Sequence, residues 1–316
     1  MSRRITWSPS VTLVPTRGCF NACGYCSFRL PLGQSRPLQP VQAEVELARR
    51  PAAREVLLLS GEVAPEAPER LAWFARLLQL SRLALAHGRL PHTNAGPLSR
   101  REMAALGRLN PSMGLMLEGL GPAYDRLHRH APSKRLELRL GQLEQAGRLG
   151  IPFTTGLLLG VGESWDDRVA ALKLLAELQG RWGHLQEVIL QPWRPDGAAA
   201  TPLGEREQAE LLELIALARK ELPPAVHLQT PPNLWPLEAL PDALAAGIDD
   251  LGGIDSIDVI NPAYPQLAPE LLAQELQARG WQLLPRTCVH ERWWFWLPAP
   301  LRIRVEAVAR RLTAGC

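Results

Sequence analysis

Long hydrophobic runs are absent from this 316-residue sequence. No apolar stretch approaches the roughly 18 residues that a membrane-spanning helix requires. Two arginines lie within residues 1–4, but no apolar region follows them, so the start of the chain does not resemble a secretory signal. We therefore expect a cytoplasmic protein with no membrane partner.

Charge of one sign is not in excess either. Thirty-five Lys and Arg side chains face 32 Asp and Glu side chains, which gives a formal net charge of +3. Nucleic-acid-binding proteins usually carry a basic stripe or a higher charge. We therefore expect no nucleic-acid partner.

Cysteine is scarce, and its distribution is uneven. The five cysteines are an odd number, and three of them lie within eight residues. This distribution does not fit a disulfide framework, and clustered thiols in a reducing compartment favour metal or redox chemistry. The cysteines are Cys19, Cys23, Cys26, Cys288 and Cys316.

Short β-like runs alternate with helical stretches along the chain, which predicts an α/β fold with a parallel sheet closed, fully or in part, into a TIM-type (β/α) barrel. The predicted strands are 11–15, 55–60, 90–94, 114–118, 153–160, 187–191, 226–230 and 248–251. The predicted helices are 68–86, 99–109, 134–149, 165–180, 205–222 and 269–279. We expect a barrel core over residues 1–264 and a helical, aromatic extension over 265–316. The aromatic residues 292–297 would either pack against the barrel or form a docking patch.

Polar motifs follow the predicted strands at the end where barrel enzymes hold their active sites. Among them, the cysteines follow the first strand, and the spacing of Cys19, Cys23 and Cys26 is C-x3-C-x2-C. A loop of this length wraps three corners of a 4Fe–4S cluster and leaves one iron without a protein ligand. A structural zinc site is the alternative, but it usually requires four Cys or His ligands, often as paired C-x2-C elements.

This spacing, with Tyr25 before the last cysteine, resembles the signature of the radical S-adenosylmethionine (SAM) superfamily. The resemblance implies one 4Fe–4S cluster on Cys19, Cys23 and Cys26, with SAM as a cosubstrate on the open iron. It also implies a reductant such as flavodoxin or ferredoxin. The residues implied to hold the cosubstrate are Tyr25, Ser60, Gly61, Glu62, Glu118, Gly160, Gly162 and Glu163.

Further strings resemble one branch of that superfamily, the first-subunit type of 7,8-didemethyl-8-hydroxy-5-deazariboflavin (FO) synthase. They begin at His92 (HTNAGPLS), Asn110 (NPSMGLMLE), Ile151 (IPFTTG), Gly183 (GHLQEVI) and Asp249 (DDLGGI). The resemblance implies a lyase that closes the deazaflavin ring of a hydroxybenzyl-ribitylimino-dihydrouracil adduct and releases ammonia. The second FO synthase subunit is an implied partner. The tyrosine-coupling second-subunit type, a menaquinone-pathway relative, a biotin-synthase-like sulfur inserter and a zinc-stabilised binding protein remain alternatives.

Candidate substrate-side residues follow from their positions and their chemistry. His92 and Asn94 end a strand and offer hydrogen bonds. Arg194 has a planar fork that suits carbonyl or carboxylate oxygens. The other candidates have equally plausible structural roles, as solvated histidines or as a turn pair. They are His128, with its neighbour His130, for proton transfer, and Asp249 and Asp250 for ribityl hydroxyls or a proton.

Overall fold

Eight parallel strands close into a barrel in the computed structural model of the chain, which describes residues 3–195 and 200–314. The order is β2-β3-β4-β5-β6-β7-β8-β1, and the pairing of β1 with β2 closes the ring. The predicted barrel is therefore confirmed. The strands are β1 Arg3–Leu13, β2 Glu55–Leu59, β3 Leu90–Asn94, β4 Ser112–Gly114, β5 Phe153–Leu159, β6 Leu185–Pro192, β7 His227–Gln229, β8 Asp250–Ile254 and β9 Trp281–Pro285.

Helices surround the strands and cover apolar side chains that point outward from the barrel. Val188 and Leu190 of β6, for example, are buried in the main apolar cluster. In the described part of the chain, no helix is both long and apolar enough to span a membrane. The helices are α1 Pro40–Arg49, α2 Arg70–Ala86, α3 Arg100–Gly107, α4 Pro122–Leu127, α5 Leu136–Arg148, α6 Trp165–Trp182, α7 Glu205–Glu221, α8 Leu240–Ala246, α9 Pro269–Ala278 and α10 Ala299–Thr313.

Several predicted boundaries were wrong. The fourth strand ends at Gly114, not at Glu118 as predicted. Glu118 lies four residues beyond the strand and forms an isolated bridge with Leu157. Glu118 has a φ of 75°, which ends regular strand geometry. The first strand begins at Arg3 and ends at Leu13, and the eighth is Asp250–Ile254. The sequence did not predict β9, α1, α4 or α8, and α10 lies in the C-terminal segment that was expected to be helical.

The C-terminal residues extend the sheet and cover the amino end of the barrel. Strand β9 pairs in parallel with the first half of β1. After it, Val289, Trp293 and residues of α10 form an apolar cluster with Leu90 at the start of β3. The aromatic stretch thus packs against the barrel, although Phe295 remains 68% exposed. The domain boundary at residue 264 stays a prediction.

Replacing Trp293 by Ala is expected to lower the free energy of unfolding by about 3–5 kcal/mol, because it leaves a large cavity. Trp293 is 1% exposed, and its indole N–H donates to the Gly183 carbonyl over 3.0 Å. Urea unfolding measures the change. The exposed Phe295→Ala serves as the control and should stay within about 0.5 kcal/mol of the wild type. Equal losses in both variants would contradict this packing.

Candidate active site at the carboxyl rim of the barrel

Hydrogen bonds between backbone groups fix the cysteine loop that follows β1. The Phe20 N–H donates to the Glu62 carbonyl over 3.0 Å, and the Gly24 N–H donates to the Leu127 carbonyl over 3.1 Å. Glu62 follows β2 and Leu127 ends α4, so partners from two other elements hold the loop. The loop therefore lies at the carboxyl ends of the strands, as the sequence predicted.

Gly61 allows the chain after β2 to approach this loop closely. A Cβ atom built on Gly61 would lie 2.3 Å from the carbonyl oxygen of Gly18, well inside van der Waals contact. The residue beside Glu62 therefore has to be glycine for Glu62 to reach the loop.

The donor set of the loop fits a 4Fe–4S cluster. Cys19, Cys23 and Cys26 are all free thiols. Structural zinc usually takes four Cys or His ligands, whereas three thiolates can hold a 4Fe–4S cluster with one iron left open. Cys288 is buried near the opposite end of the barrel, and Cys316 lies outside the described residues.

The thiol of Cys23 needs a positive partner to ionise. Burial raises the pKa of Cys23 to about 12, and the ammonium of Lys134 opposes that rise. Metal and cluster ligands are thiolates. The positive charge of Lys134 and of a bound cluster would therefore both favour the ligating form.

Glu118 lies at the centre of a buried ion network beside the loop. Its carboxylate accepts hydrogen bonds from the Tyr25 hydroxyl (2.5 Å), the His128 Nε2 (3.0 Å) and the Lys134 ammonium. Burial alone would raise the pKa of Glu118, but Lys134 and His128 hold it well below its usual range. Tyr25 and His128 therefore contact the same carboxylate, which the sequence did not indicate.

Glu62 belongs to the same network. Its carboxylate accepts hydrogen bonds from Arg139 Nη2 (2.7 Å), the Asn21 amide (3.0 Å) and the Ser133 hydroxyl. Lys134 Nζ lies 3.8 Å away. Although burial raises the pKa of Glu62, Arg139 and Lys134 lower it below the usual value. We call Glu62, Glu118, Lys134 and Arg139 the loop network.

The remaining predicted cosubstrate residues lie around the same rim. Ser60 donates to the carbonyl of Gly61 and accepts a hydrogen bond from the Trp73 indole over 2.9 Å. Glu163 closes the turn after β5 by accepting from the Gly160 N–H over 2.8 Å, and it pairs with Arg168. Gly160 and Gly162 have φ values of 87° and 94° in that turn. Their contacts with a cosubstrate remain predictions.

A polar lumen runs down the barrel from this rim. Inward side chains alternate with outward ones, so Glu187 and Gln191 of β6 face the lumen. The lumen contains a rim cavity of about 50 Å³ beside Tyr25 and Cys26, a middle cavity of about 130 Å³ and a floor cavity of about 140 Å³. Gln191 lines the first two, and Gln229 lines the last two. Most closed barrels fill this space with branched apolar side chains.

An ion cluster that the sequence did not reveal lines the floor cavity. Arg286, which follows β9, donates from Nη2 to Glu187 over 2.7 Å and from Nη2 and Nε to Asp250 over 2.6 and 2.5 Å. Burial, together with the neighbouring Glu187 and Asp250, raises the pKa of Glu55 to about 7 even though Arg286 opposes the rise. Nothing near Arg286 in the sequence indicated that it would enter the lumen.

Two predicted substrate-side residues are engaged by partners within the protein. Asp249 precedes β8, where it accepts from His227 Nδ1 over 3.0 Å and from the Leu228 N–H over 2.8 Å. It therefore lies at the end of the barrel opposite the cysteine loop. Arg194 lines the rim cavity, but its guanidinium pairs with Glu207 of α7.

His92 and Asn94 line the floor cavity from β3. The Ser112 hydroxyl donates to the Cys288 carbonyl over 2.7 Å, so it accepts the hydrogen bond from His92 Nδ1, also 2.7 Å long. The imidazole therefore keeps its proton on Nδ1 and leaves Nε2 as an acceptor. Burial, with a contribution from Arg286, lowers the pKa of His92 to about 3.

Lys134→Met is expected to lower the free energy of unfolding by about 3–5 kcal/mol, because Glu62 and Glu118 would lose a buried cation. The Lys134 side chain is 13% exposed. Urea unfolding at neutral pH measures the loss. Lys173→Met, an exposed position on α6, is the matched control. A loss no larger than that of Lys173→Met would show that the loop network does not stabilise the fold.

The lowered pKa of His92 predicts an acid-dependent loss of stability. The stability that the neutral imidazole contributes is complete above the pKa of unfolded His92, about 6.5, and is lost as the pH falls from there toward 3. The loss amounts to about 2 kcal/mol at pH 5. His92→Asn should therefore lose less stability than the wild type between pH 7 and pH 5. Urea unfolding at both pH values tests this, with the exposed His87→Asn as a control. An unchanged pH dependence in His92→Asn would contradict the neutral, buried imidazole.

Two solved structures have a similar shape. The FeFe-hydrogenase maturase HydG from Carboxydothermus hydrogenoformans superposes with a TM-score of 0.71 at 17% identity, covering 99% of this chain and 79% of that one. Methylornithine synthase (PylB) gives a TM-score of 0.67 at 15% identity, covering 96% and 86%. At these identities the likeness shows the fold.

Proteins related in sequence are more similar to this chain than those solved structures are. The chain is 50% identical over 310 residues to the 7,8-didemethyl-8-hydroxy-5-deazariboflavin synthase of Thermosynechococcus vestitus, covering 97% of this chain and 98% of the relative. It is 50% identical over 296 residues to the protein of that name from Gloeobacter violaceus, covering 91% and 90%. The family model described as the radical SAM superfamily matches residues 13–175. The chain therefore belongs to the radical SAM superfamily and, within it, to the family of 7,8-didemethyl-8-hydroxy-5-deazariboflavin synthases.

Proposed function

We propose that this chain converts 5-amino-5-(4-hydroxybenzyl)-6-(D-ribitylimino)-5,6-dihydrouracil to 7,8-didemethyl-8-hydroxy-5-deazariboflavin, as a carbon–nitrogen lyase that releases ammonia, methionine and 5′-deoxyadenosine. The observation that carries the proposal is the trio of free thiols on one loop above a polar lumen. The names of its close relatives support the choice of product.

Cys19, Cys23 and Cys26 would hold a 4Fe–4S cluster that, with SAM bound, supplies a 5′-deoxyadenosyl radical. The residues of the chain position and enclose the reactants. The loop network fixes the cysteine loop and keeps Glu118 ionised, which suits hydrogen bonds from sugar hydroxyls. Glu62, Ser60 and Gly61 place a carboxylate and backbone groups beside the loop for an ammonium group.

Substrate roles are assigned to residues that line the lumen. His92 and Asn94 offer an imidazole acceptor and an amide from β3. His128 would hold Glu118 in place instead of moving a proton, since its Nε2 contacts that carboxylate. Arg194 would stabilise the rim through its ion pair with Glu207.

The electron donor we propose is an acidic protein such as flavodoxin or ferredoxin, in a cytoplasmic setting that suits free thiols. Residues 1–43 contain no Asp or Glu, whereas Arg17, Arg29 and Arg36 surround the cysteines in sequence. A surface of this sign attracts acidic partners. A second FO synthase subunit that supplies the adduct is the other proposed partner.

Anaerobic reconstitution of Cys23→Ala should leave almost no bound iron, whereas the wild type should bind about four iron atoms per chain. Iron and sulfide analysis measures this. Cys288→Ala is the matched control, because Cys288 lies near the opposite end of the barrel. Cluster binding by Cys23→Ala would overturn the ligand assignment.

The reconstituted wild type, given SAM, a reductant and the preformed adduct, should produce deazaflavin fluorescence. The same protein given tyrosine and the ribityl-diaminouracil should produce none. The opposite pattern would assign the chain to the tyrosine-coupling type instead.

A further inference from the structure

The floor cavity holds a set of polar side chains to which the proposed reaction assigns no specific ligand. About 140 Å³ of space is lined there by Glu55, His92, Glu187, Gln229 and Arg286, among others. We call these five residues the lumen floor. They come from four strands and from the segment after β9, so the closed barrel brings them together.

Arg286 has little capacity left to donate to a ligand. Four hydrogen bonds run from its guanidinium to Asp250, Glu187 and the Thr287 carbonyl, and a guanidinium has five N–H groups in total. When the side-chain amide of Gln229 is oriented so that its nitrogen donates, that nitrogen lies 3.2 Å from each carboxylate oxygen of Glu187. The strongest donors of the lumen floor are therefore used within the protein.

Acceptors remain available. His92 keeps Nε2 without a proton, since Nδ1 carries the proton toward Ser112. Arg286 pairs with Glu187 and Asp250, so the carboxyl oxygens of Glu55 add an acceptor that Arg286 does not occupy, even in the partly protonated form that a pKa of about 7 gives near neutral pH. A ligand group that fits this cavity has to be rich in O–H or N–H donors.

We propose that the lumen floor binds a polyhydroxylated alkyl chain, the ribityl group of the substrate, whose hydroxyls donate to Glu55 and His92 Nε2. The inference rests on the proposed function. The dihydrouracil ring mixes carbonyl acceptors with ring N–H and amino donors, and the hydroxybenzyl group has one O–H on an apolar ring. The ribityl chain carries several hydroxyl donors in a row and matches the floor.

The depth of the lumen agrees with this orientation. Glu187 and Gln191 are four residues apart on β6, which corresponds to about 13 Å along the strand. Gln191 also lines the rim cavity together with Cys26. A chain held at the floor therefore leaves the ring system above it, toward the cysteine loop.

The test compares two ligands on the reconstituted enzyme without reductant: the ribityl adduct, and the same adduct with an ethyl group in place of the ribityl chain. Anaerobic calorimetry gives the dissociation constants. The wild type should bind the ribityl ligand at least about tenfold more tightly, a difference that one or two charge-assisted hydrogen bonds supply. Glu55→Gln should raise the dissociation constant of the ribityl ligand about tenfold and change that of the ethyl ligand less than twofold.

His92→Asn provides a second, independent variant with the same expected pattern. Glu238→Gln, an exposed carboxylate on the surface, is the control and should leave both constants unchanged. Equal effects of Glu55→Gln and His92→Asn on the two ligands, or equal wild-type affinities, would overturn the floor assignment. If the enzyme still formed deazaflavin from the ribityl adduct, the proposed function would hold and only the floor assignment would fail. If neither ligand bound, both the floor assignment and the proposed function would be overturned.

Discussion

A single buried ammonium between two carboxylates organises the active end of this barrel. Lys134 contacts Glu118 directly and lies 3.8 Å from Glu62, and Arg139 pairs with Glu62 on the other side. Charges removed from water are tolerated only when opposite charges and hydrogen bonds compensate them. The two acids, which follow different strands, must therefore stay close to the short helical turn that carries Lys134. The cysteine loop is attached to the same elements, so the positions of the thiols depend on this pairing.

The chemistry of the rim was largely readable from the sequence. The spacing of Cys19, Cys23 and Cys26 and the strings after the strands predicted the superfamily and the family, which the relatives confirm. Strand β3 was predicted with its observed bounds, because its pattern and the flanking turns are local signals. The roles of individual site residues stay predictions.

Contacts between residues far apart in the chain could not be predicted from the sequence. Asp249 and Asp250 look like one acidic pair in the sequence, but adjacent residues of extended backbone point to opposite sides. Asp250 therefore enters the lumen and meets Arg286, while Asp249 faces His227 outside it. The run before Glu118 looked like a strand because it is apolar, yet regular pairing stops at Gly114. Arg286 owes its place to the parallel pairing of β9 with β1, which no local pattern announces.

Covering one end of the barrel has a kinetic consequence. Val289, Trp293 and α10 pack beneath the strands and cover the barrel at its amino end, below the floor cavity. A ligand whose far end lies at the floor has to pass the cysteine loop on its way in. Such a site imposes an order on its occupants: the deepest one arrives first and departs last, and steady-state rates should show a compulsory sequence of addition.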